Sequence, residues 1–485
     1  MTTEPSQEVS TPAMYSYLNP EIPLVFVCNS AEAVFAYMNR AESEADRHFL
    51  IREMQALGDR ALLYPVERKL VFTSLPLHHE SLLNSLGYSQ THYYYPHKPS
   101  PRLSLDLLQE PVLLEKIATF AGEGQSIQLI PQVTTLEFLA LATALRRDYG
   151  LEVLLPESPD PSCLWVRDYI DSKTGFRHLA TAWLPDAVAL LPQGFICSDL
   201  SQAASIAYWF SQCHQSCIVK ADCGNDALGH TVISPAPTMS VNEIYCCLQQ
   251  NEFLQASMFN SLDQESTHYS DSGALPLRLA SNLLIVEEYL PSPEALFPSA
   301  EFFVPPLGTG TPYLTYVCNQ LFYESGTFAG IIISSHFQTM GWYTALVSSG
   351  LHMAKQLQQM GYVGHFDLDA IASQEEILAL LEINARRTGG THVHELAWFL
   401  LGQSYLQFVT LISNTAMSSG KIQTFDNLVE AIASILYPMQ QNQQGVIITH
   451  TSNLEEHKFG YIIIAPSMQR GLELRQELVT LLTAA

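Results

Sequence analysis

Within the run LLEINARRTGG, residues 380–390, positions 381–386 alternate apolar and polar side chains one for one. Leu381, Ile383 and Ala385 take one set of positions, and Glu382, Asn384 and Arg386 the other. A period of two marks a β-strand, because successive side chains leave a strand on opposite faces. One face of this strand must be buried by a covering layer, and its edges must be paired by other strands. The opposite face brings together a carboxylate, an amide oxygen and a guanidinium, groups suited to holding a cation beside an anion.

Strand-like partners recur along the chain. The first segment opens with PLVFVCNS (23–30), passes through a charged, helix-prone stretch from 31 to 57, and returns as ALLYP and KLVFTS. SIQLIPQ at 126–132 and TLEFLALATALRRDYG at 135–150 repeat the strand-then-helix order. Pro156, Pro159 and Pro161 then punctuate the chain and mark a boundary. From about 165 to 415 the strand-like CIVKA, LLIVEEYL, AGIIIS, GHFDLDAI and ILALLEIN are interspersed with helical patterns. Trp342, Ala345, Leu346, Leu351, Ala354 and Leu357 fit an amphipathic helix, and HVHELAWFLLGQSYLQFVTLI begins another. The tail carries GVIITH, GYIIIAP and a helical MQRGLELRQELVTLLT, while 258–276 reads as an exposed loop. The fold class expected is α/β (α+β).

At 485 residues the chain is long enough for two or three domains. Its formal charge of −25 repels phosphate backbones and anionic lipid, so neither nucleic acid nor membrane is expected as a partner. No run approaches the roughly 20 apolar residues needed to span a bilayer. The N-terminus MTTEPSQEVSTPAMYSY has neither the basic start nor the apolar core of a signal peptide. Nine scattered cysteines, an odd number, argue against a disulfide framework and for a reducing cytoplasm. Cys213 and Cys217 lack a second pair at zinc-ribbon spacing and read as ordinary thiols.

Several short segments carry chemistry. In IVKADCGNDALGH, Lys220 ends an apolar strand, where a lysine is rarely placed for solubility. Gly224 and Gly229 bracket the following turn, which lets backbone N–H groups approach a polyphosphate without a Cβ in the way. Asp369, Glu382 and Asn384 offer two carboxylates and an amide oxygen, the hard donors that Mg²⁺ takes beside phosphate oxygens. Asp367 alternates onto the same face as Asp369, and Asp369 ranks first as the ligand. Arg386, one step along from Asn384, can clamp a phosphoryl group or acyl-phosphate through paired hydrogen bonds. His392 and His394 diverge around a helix start and do not form a zinc pair. Thr388, Gly389 and Gly390 would set that helix N-terminus toward a substrate anion, with His392 lining the pocket. There is no GxSxG nucleophile elbow.

Taken in order, DSKTGFRHLA (171–180), IVKADCGNDALGH (218–230), LLIVEEYLPS (283–292), GHFDLDA and LLEINARRTGG resemble the ATP-grasp superfamily of carboxylate–amine ligases. Within it, the SK..FR spacing and NQLFYESGTFAGIIIS are most similar to the pheganomycin-type peptide ligases. The resemblance implies an extended or disordered 1–19, a pre-ATP-grasp α/β domain over 20–160, an ATP-grasp domain over 161–415 and a small C-terminal α/β domain over 416–485. It implies ATP and Mg²⁺ as cofactors, with Mn²⁺ as an alternative metal. Lys173 and Lys220 would then reach the nucleotide, and Glu287, Glu288 and Leu290 would form the hinge along the adenine. Asp369, Glu382 and Asn384 would be the metal set, with Arg386, Lys220 and Glu382 catalytic. The implied reaction joins a carboxylate, activated as acyl-phosphate, to an amine, and releases ADP and phosphate. The expected partners are small-molecule or peptide carboxylates and amines, with a homodimer as the default assembly. The alternatives are a degenerate domain that binds nucleotide without ligation, or a ligase with a non-peptide nucleophile.

Overall fold

The computed structural model describes residues 17–484, apart from 39–43, 65–67, 78–85, 87, 89, 224–228, 237–238, 252–253, 255–282, 293, 295, 325 and 440–441. Most of the expected N-terminal extension 1–19 and all of the expected loop 258–276, together with Gly224, therefore lie outside the described residues.

The chain builds three sheets in sequence order. The first contains β1 (Leu24–Val27), β2 (Lys69–Phe72), β3 (Thr91–Tyr94), β4 (Ser126–Pro131) and β5 (Glu152–Leu154), in the order β3-β2-β1-β4-β5. All its pairings are parallel. β1 and β2 are buried along their whole length because helices and loops cover both faces, which is why they read as unbroken apolar runs. The helix Leu136–Tyr149 covers part of one face. Thr135 caps it by accepting from Phe138 N, and Gly150 ends it at φ +66°. ALLYP departs from the strand expected there, because Leu57–Leu63 forms 3-10 turns. The buried Lys69 ammonium explains the difference, since it collects the carbonyls of Leu62 and Tyr64 that a strand would have directed sideways.

The second sheet contains β6 (Gly194–Cys197), β7 (Cys217–Ala221), β8 (His230–Ile233) and β9 (Leu284–Glu288), antiparallel in the order β6-β9-β7-β8. Cys197, Cys217, Val219, Ala221, Leu284 and Val286 pack against the helices Leu200–Gln212 and Val241–Gln249. The alternate positions Lys220, Ile285 and Glu287 are thereby sent to the other face.

The third sheet is antiparallel and contains β10 (Pro298–Val304), β11 (Tyr313–Phe322), β12 (Phe328–Ile333), β13 (Gly364–Ala372), β14 (Ile377–Asn384), β15 (Thr410–Ser418), β16 (Gly445–His450) and β17 (Lys458–Ala465). Its order is β14-β13-β10-β11-β12-β15-β17-β16. The helix Tyr343–Gln359 seals one side, where Phe302, Phe366 and Leu368 meet Trp342 and Met353. β15 crosses the expected boundary at 415 and pairs with both β12 and β17, so the tail strands extend this central sheet. Among the described residues no helix is long and apolar enough to cross a membrane.

Candidate active site

The helix Lys173–Trp183 bridges the second and third sheets. Ser172 caps it by accepting from Gly175 N at 3.0 Å. Asp222, two residues beyond Lys220, ties the helix start to the end of β7: its carbonyl accepts from Lys173 N (2.9 Å) and its Oδ1 from Thr174 N (2.7 Å). Lys173 and Arg177 lie one helical turn apart and so share a face. Lys173 Nζ stands 3.0 Å from Glu382 Oε2 on β14. Arg177 Nη1 donates to Glu287 Oε1 on β9 at 2.8 Å, and Lys220 Nζ lies 2.8 Å from the other oxygen of the same carboxylate. Lys173, Lys220 and Glu287 are all buried.

On the facing sheet, register alone sets the acidic group. Asp369 on β13 pairs with Glu382 on β14, and Asp367 with Asn384. Asn384 Nδ2 donates to Asp367 Oδ1 (2.9 Å) and Asp369 Oδ2 (3.2 Å). Its Oδ1 accepts from Arg386 Nη1 at 2.9 Å, and Asp171 Oδ1 holds the same nitrogen at 3.3 Å.

The electrostatics divide these carboxylates. Burial pushes Glu382 up, but Lys173 and Lys220 outweigh it and hold the carboxyl at about 2. Burial, and then the charge of Glu382, push Asp369 up to about 7. Burial and the neighbouring Asp369 drive Asp367 well above the usual carboxylate range. Burial, reinforced by Lys173 and Lys220, lowers His230 to about 3 and keeps it neutral beside the two lysines. Asp369 Oδ1 is buried without a hydrogen-bond partner. A divalent cation between the aspartate and Glu382 would satisfy that oxygen and relieve the repulsion, so the residues fit a metal. To ligate, Asn384 would present the amide oxygen that now faces Arg386. Among the described residues no three His, Cys, Asp or Glu side chains form a metal cluster, so the set remains two carboxylates and an amide.

The remaining expected residues fall into place differently. Gly229 has φ +77°, a backbone region open to glycine, and leads into β8. Glu288 alternates away from Glu287, and its N–H is spent on Gln193 O at 2.8 Å. Leu290 is half-buried just beyond β9. His392 is buried against the His450 ring, with centroids 5.6 Å apart, and is absent from the lining of the cavity beside Arg386. Thr388 and Thr391, at the start of the helix Thr391–Leu401, donate to the buried Glu301 carboxylate. The hydroxyls at that helix start are therefore committed to an internal anion.

Sequence reasoning missed two sets of residues. Arg177 is the arginine of the SK..FR spacing, four residues after Lys173, and the sequence alone assigns it no role in the site. The second set forms a junction. Arg387 gives Nε and Nη2 to both oxygens of Glu157 (2.8 and 2.6 Å) and Nη1 to Glu395 (2.9 Å), while its guanidinium lies 4.4 Å from the Tyr64 ring centroid. Gln132, beyond β4, exchanges two hydrogen bonds with the Arg387 backbone. A cavity of about 20 Å³, room for a water, lies between Gln132, Glu157, Arg167, His365 and Arg386.

No family model and no curated protein sequence matches the chain. Solved structures do. The biotin carboxylase domain of 2-oxoglutarate carboxylase from Hydrogenobacter thermophilus, a dimer complexed with MgADP, ADP and bicarbonate, aligns at TM-score 0.52 and 13% identity, over 94% of this chain and 89% of that one. Biotin carboxylase from Campylobacter jejuni, in a β-γ-ATP complex, aligns at TM-score 0.51 and 11% identity, over 94% and 90%. The fold is the ATP-grasp fold, along nearly the whole chain.

Proposed function

We propose that this chain is an ATP-dependent, ADP-forming ligase that activates a carboxylate as its acyl-phosphate and passes the acyl group to an amine. The observation that carries this reading is the convergence of Lys173 and Lys220, from two different elements, on the face opposite the Asp369–Glu382 rung. The solved structures of the same fold hold MgADP, ADP and an ATP complex, in keeping with a nucleotide site here.

Lys173 and Lys220 would neutralise the polyphosphate, and Glu287 would fix Lys220 against β9. Asp369, Glu382 and Asn384 would hold Mg²⁺, which supplies charge neutralisation on the phosphate oxygens. The present partners, Lys173 for Glu382 and the aspartates for Asn384, are ones that a cation and a nucleotide would replace. Arg386, at the mouth of the small cavity, would steady the transferred phosphoryl group and the acyl-phosphate oxygens. The substrate carboxylate oxygen takes the γ-phosphoryl group and ADP leaves. The amine then attacks the acyl carbon, phosphate departs, and the nitrogen loses a proton to give an amide. Positioning and charge placement supply the catalysis, without a covalent enzyme intermediate. We assign the amine to a peptide or amino acid on the likeness of the SK..FR and NQLFYESGTFAGIIIS segments to peptide ligases.

Thermal unfolding with and without Mg·ATP tests the nucleotide site. At about 100 times its dissociation constant the ligand should add about 2.7 kcal/mol, dependent on Mg²⁺, and Lys220→Ala should abolish the gain. Equal, unshifted unfolding of both folded proteins would remove the reading. Glu382→Gln should lower ADP release by about 100- to 1,000-fold with the fold intact, and full turnover in that variant would exclude Glu382 from the metal set.

A further inference from the structure

Lys220 meets the cleft with its charge already opposed. Its ammonium lies 2.8 Å from Glu287, and an isolated pair at that distance presents little net field to an anion a few ångströms away. Arg177 changes the count. The sheet order β6-β9-β7 puts Glu287 in the middle strand, with Lys220 on one side and the β6 edge on the other. Arg177 reaches Glu287 from the β6 edge, where Nη2 also donates to Pro192 O at 2.5 Å. Its access depends on a bare backbone. Gly194 lies directly opposite Glu287, and a Cβ there would come within 2.8 Å of both Arg177 Nη2 and Glu287 Cγ. Each Glu287 oxygen thus serves one cation, and the trio carries one net positive charge.

Resting on the nucleotide reading above, we propose that Arg177 is a positioning residue that occupies half of the Glu287 carboxylate and so leaves Lys220 free to serve the polyphosphate of a nucleoside triphosphate. Arg177 acts through Glu287 and touches no reacting atom. Without it, both oxygens of Glu287 would turn to Lys220 and hold the ammonium back from the ligand.

The test uses the full-length protein with Mg²⁺ and measures ATP and adenosine binding by calorimetry in five forms: wild type, Arg177→Met, Arg177→Lys, Glu287→Gln and the Arg177→Met/Glu287→Gln double variant. The readout is the ratio of ATP to adenosine affinity, which isolates the phosphates from the base and from any partial loss of fold. Arg177→Met should lower that ratio by about tenfold or more, the scale of one buried charge contact. Arg177→Lys should keep most of it. Adding Glu287→Gln to Arg177→Met should raise the ratio again, because the competing carboxylate is gone. A brace of purely structural kind predicts the opposite, a second loss on top of the first. A double variant no better than Arg177→Met, or an Arg177→Met that weakens adenosine as much as ATP, would overturn the proposal. A wild type that binds no Mg·ATP would instead sink the nucleotide reading itself.

Discussion

Two buried charged networks adjoin at the end of β14, one around Lys173 and Glu382 and one around Arg387, and they behave differently. At the junction, Arg387 is bonded bidentately to Glu157, a third time to Glu395, and stacked over Tyr64. Glu301 in turn accepts from Thr388, Thr391, Tyr316 and His365. The cleft uses the same residue types but leaves them underused. Lys173 on a helix and Glu382 on β14 make a single contact, and Asp369 keeps a buried oxygen without a partner. Saturated geometry fixes one arrangement, whereas a set of single contacts can be exchanged for a ligand. Adjacent arginines divide the two roles: Arg386 is partly exposed and loosely paired, and Arg387 is sealed.

Arg387 should be indispensable to the fold. Arg387→Met leaves Glu157 and Glu395 buried without their cation and should cost about 3–5 kcal/mol in chemical denaturation. A loss below about 1 kcal/mol would make the junction no more structural than the cleft. Acid should expose the same network. Burial pushes Glu157 and Glu301 up, yet Arg387 and His365 for Glu157, and His365 with the threonines for Glu301, hold both carboxyls below their usual 4.5. A carboxyl held low in the folded state stabilises it above the unfolded value. That stability is lost as the pH falls below about 4.5 through the folded value. The wild type should therefore lose denaturation free energy over that window, and Arg387→Met, having lost the cation, should lose less. Parallel pH profiles for the two proteins would contradict the assignment.

Much of the cleft was legible because strand periodicity is local. Lys220 at the end of an apolar strand, and Glu382, Asn384 and Arg386 at alternate positions, announce their common faces in the sequence. What they meet across the cleft does not appear there. Arg177 finds Glu287 110 residues away, and Arg387 finds Glu157 across 230, so no window of sequence contains either pair. ALLYP misled for a related reason: its apolar residues are buried as a strand's would be, but the 3-10 turns are set by the ammonium of Lys69 further along. The tail reads as a separate α/β unit because its strands are locally complete, whereas their pairing to β15 is a matter of topology.

Asp369→Asn should have the smallest effect on stability of these substitutions. Asp367, Asp369 and Glu382 crowd two same-face rungs of the sheet, and Asn384 gives its amide nitrogen to both aspartates and its backbone N–H to Asp367. Removing one negative charge without changing shape relieves that crowding, so the metal-free protein should be unchanged or more stable by about 0.5–1 kcal/mol near neutral pH. The same change deletes a hard oxygen donor, so the Mg²⁺-dependent part of the ATP stabilisation should disappear. The two measurements must move in opposite senses for a residue kept for ligand binding at the expense of stability. If Asp369→Asn instead destabilises the metal-free protein and leaves the Mg²⁺ response intact, Asp369 belongs with the junction as a structural group, and Asp367 becomes the residue to substitute next.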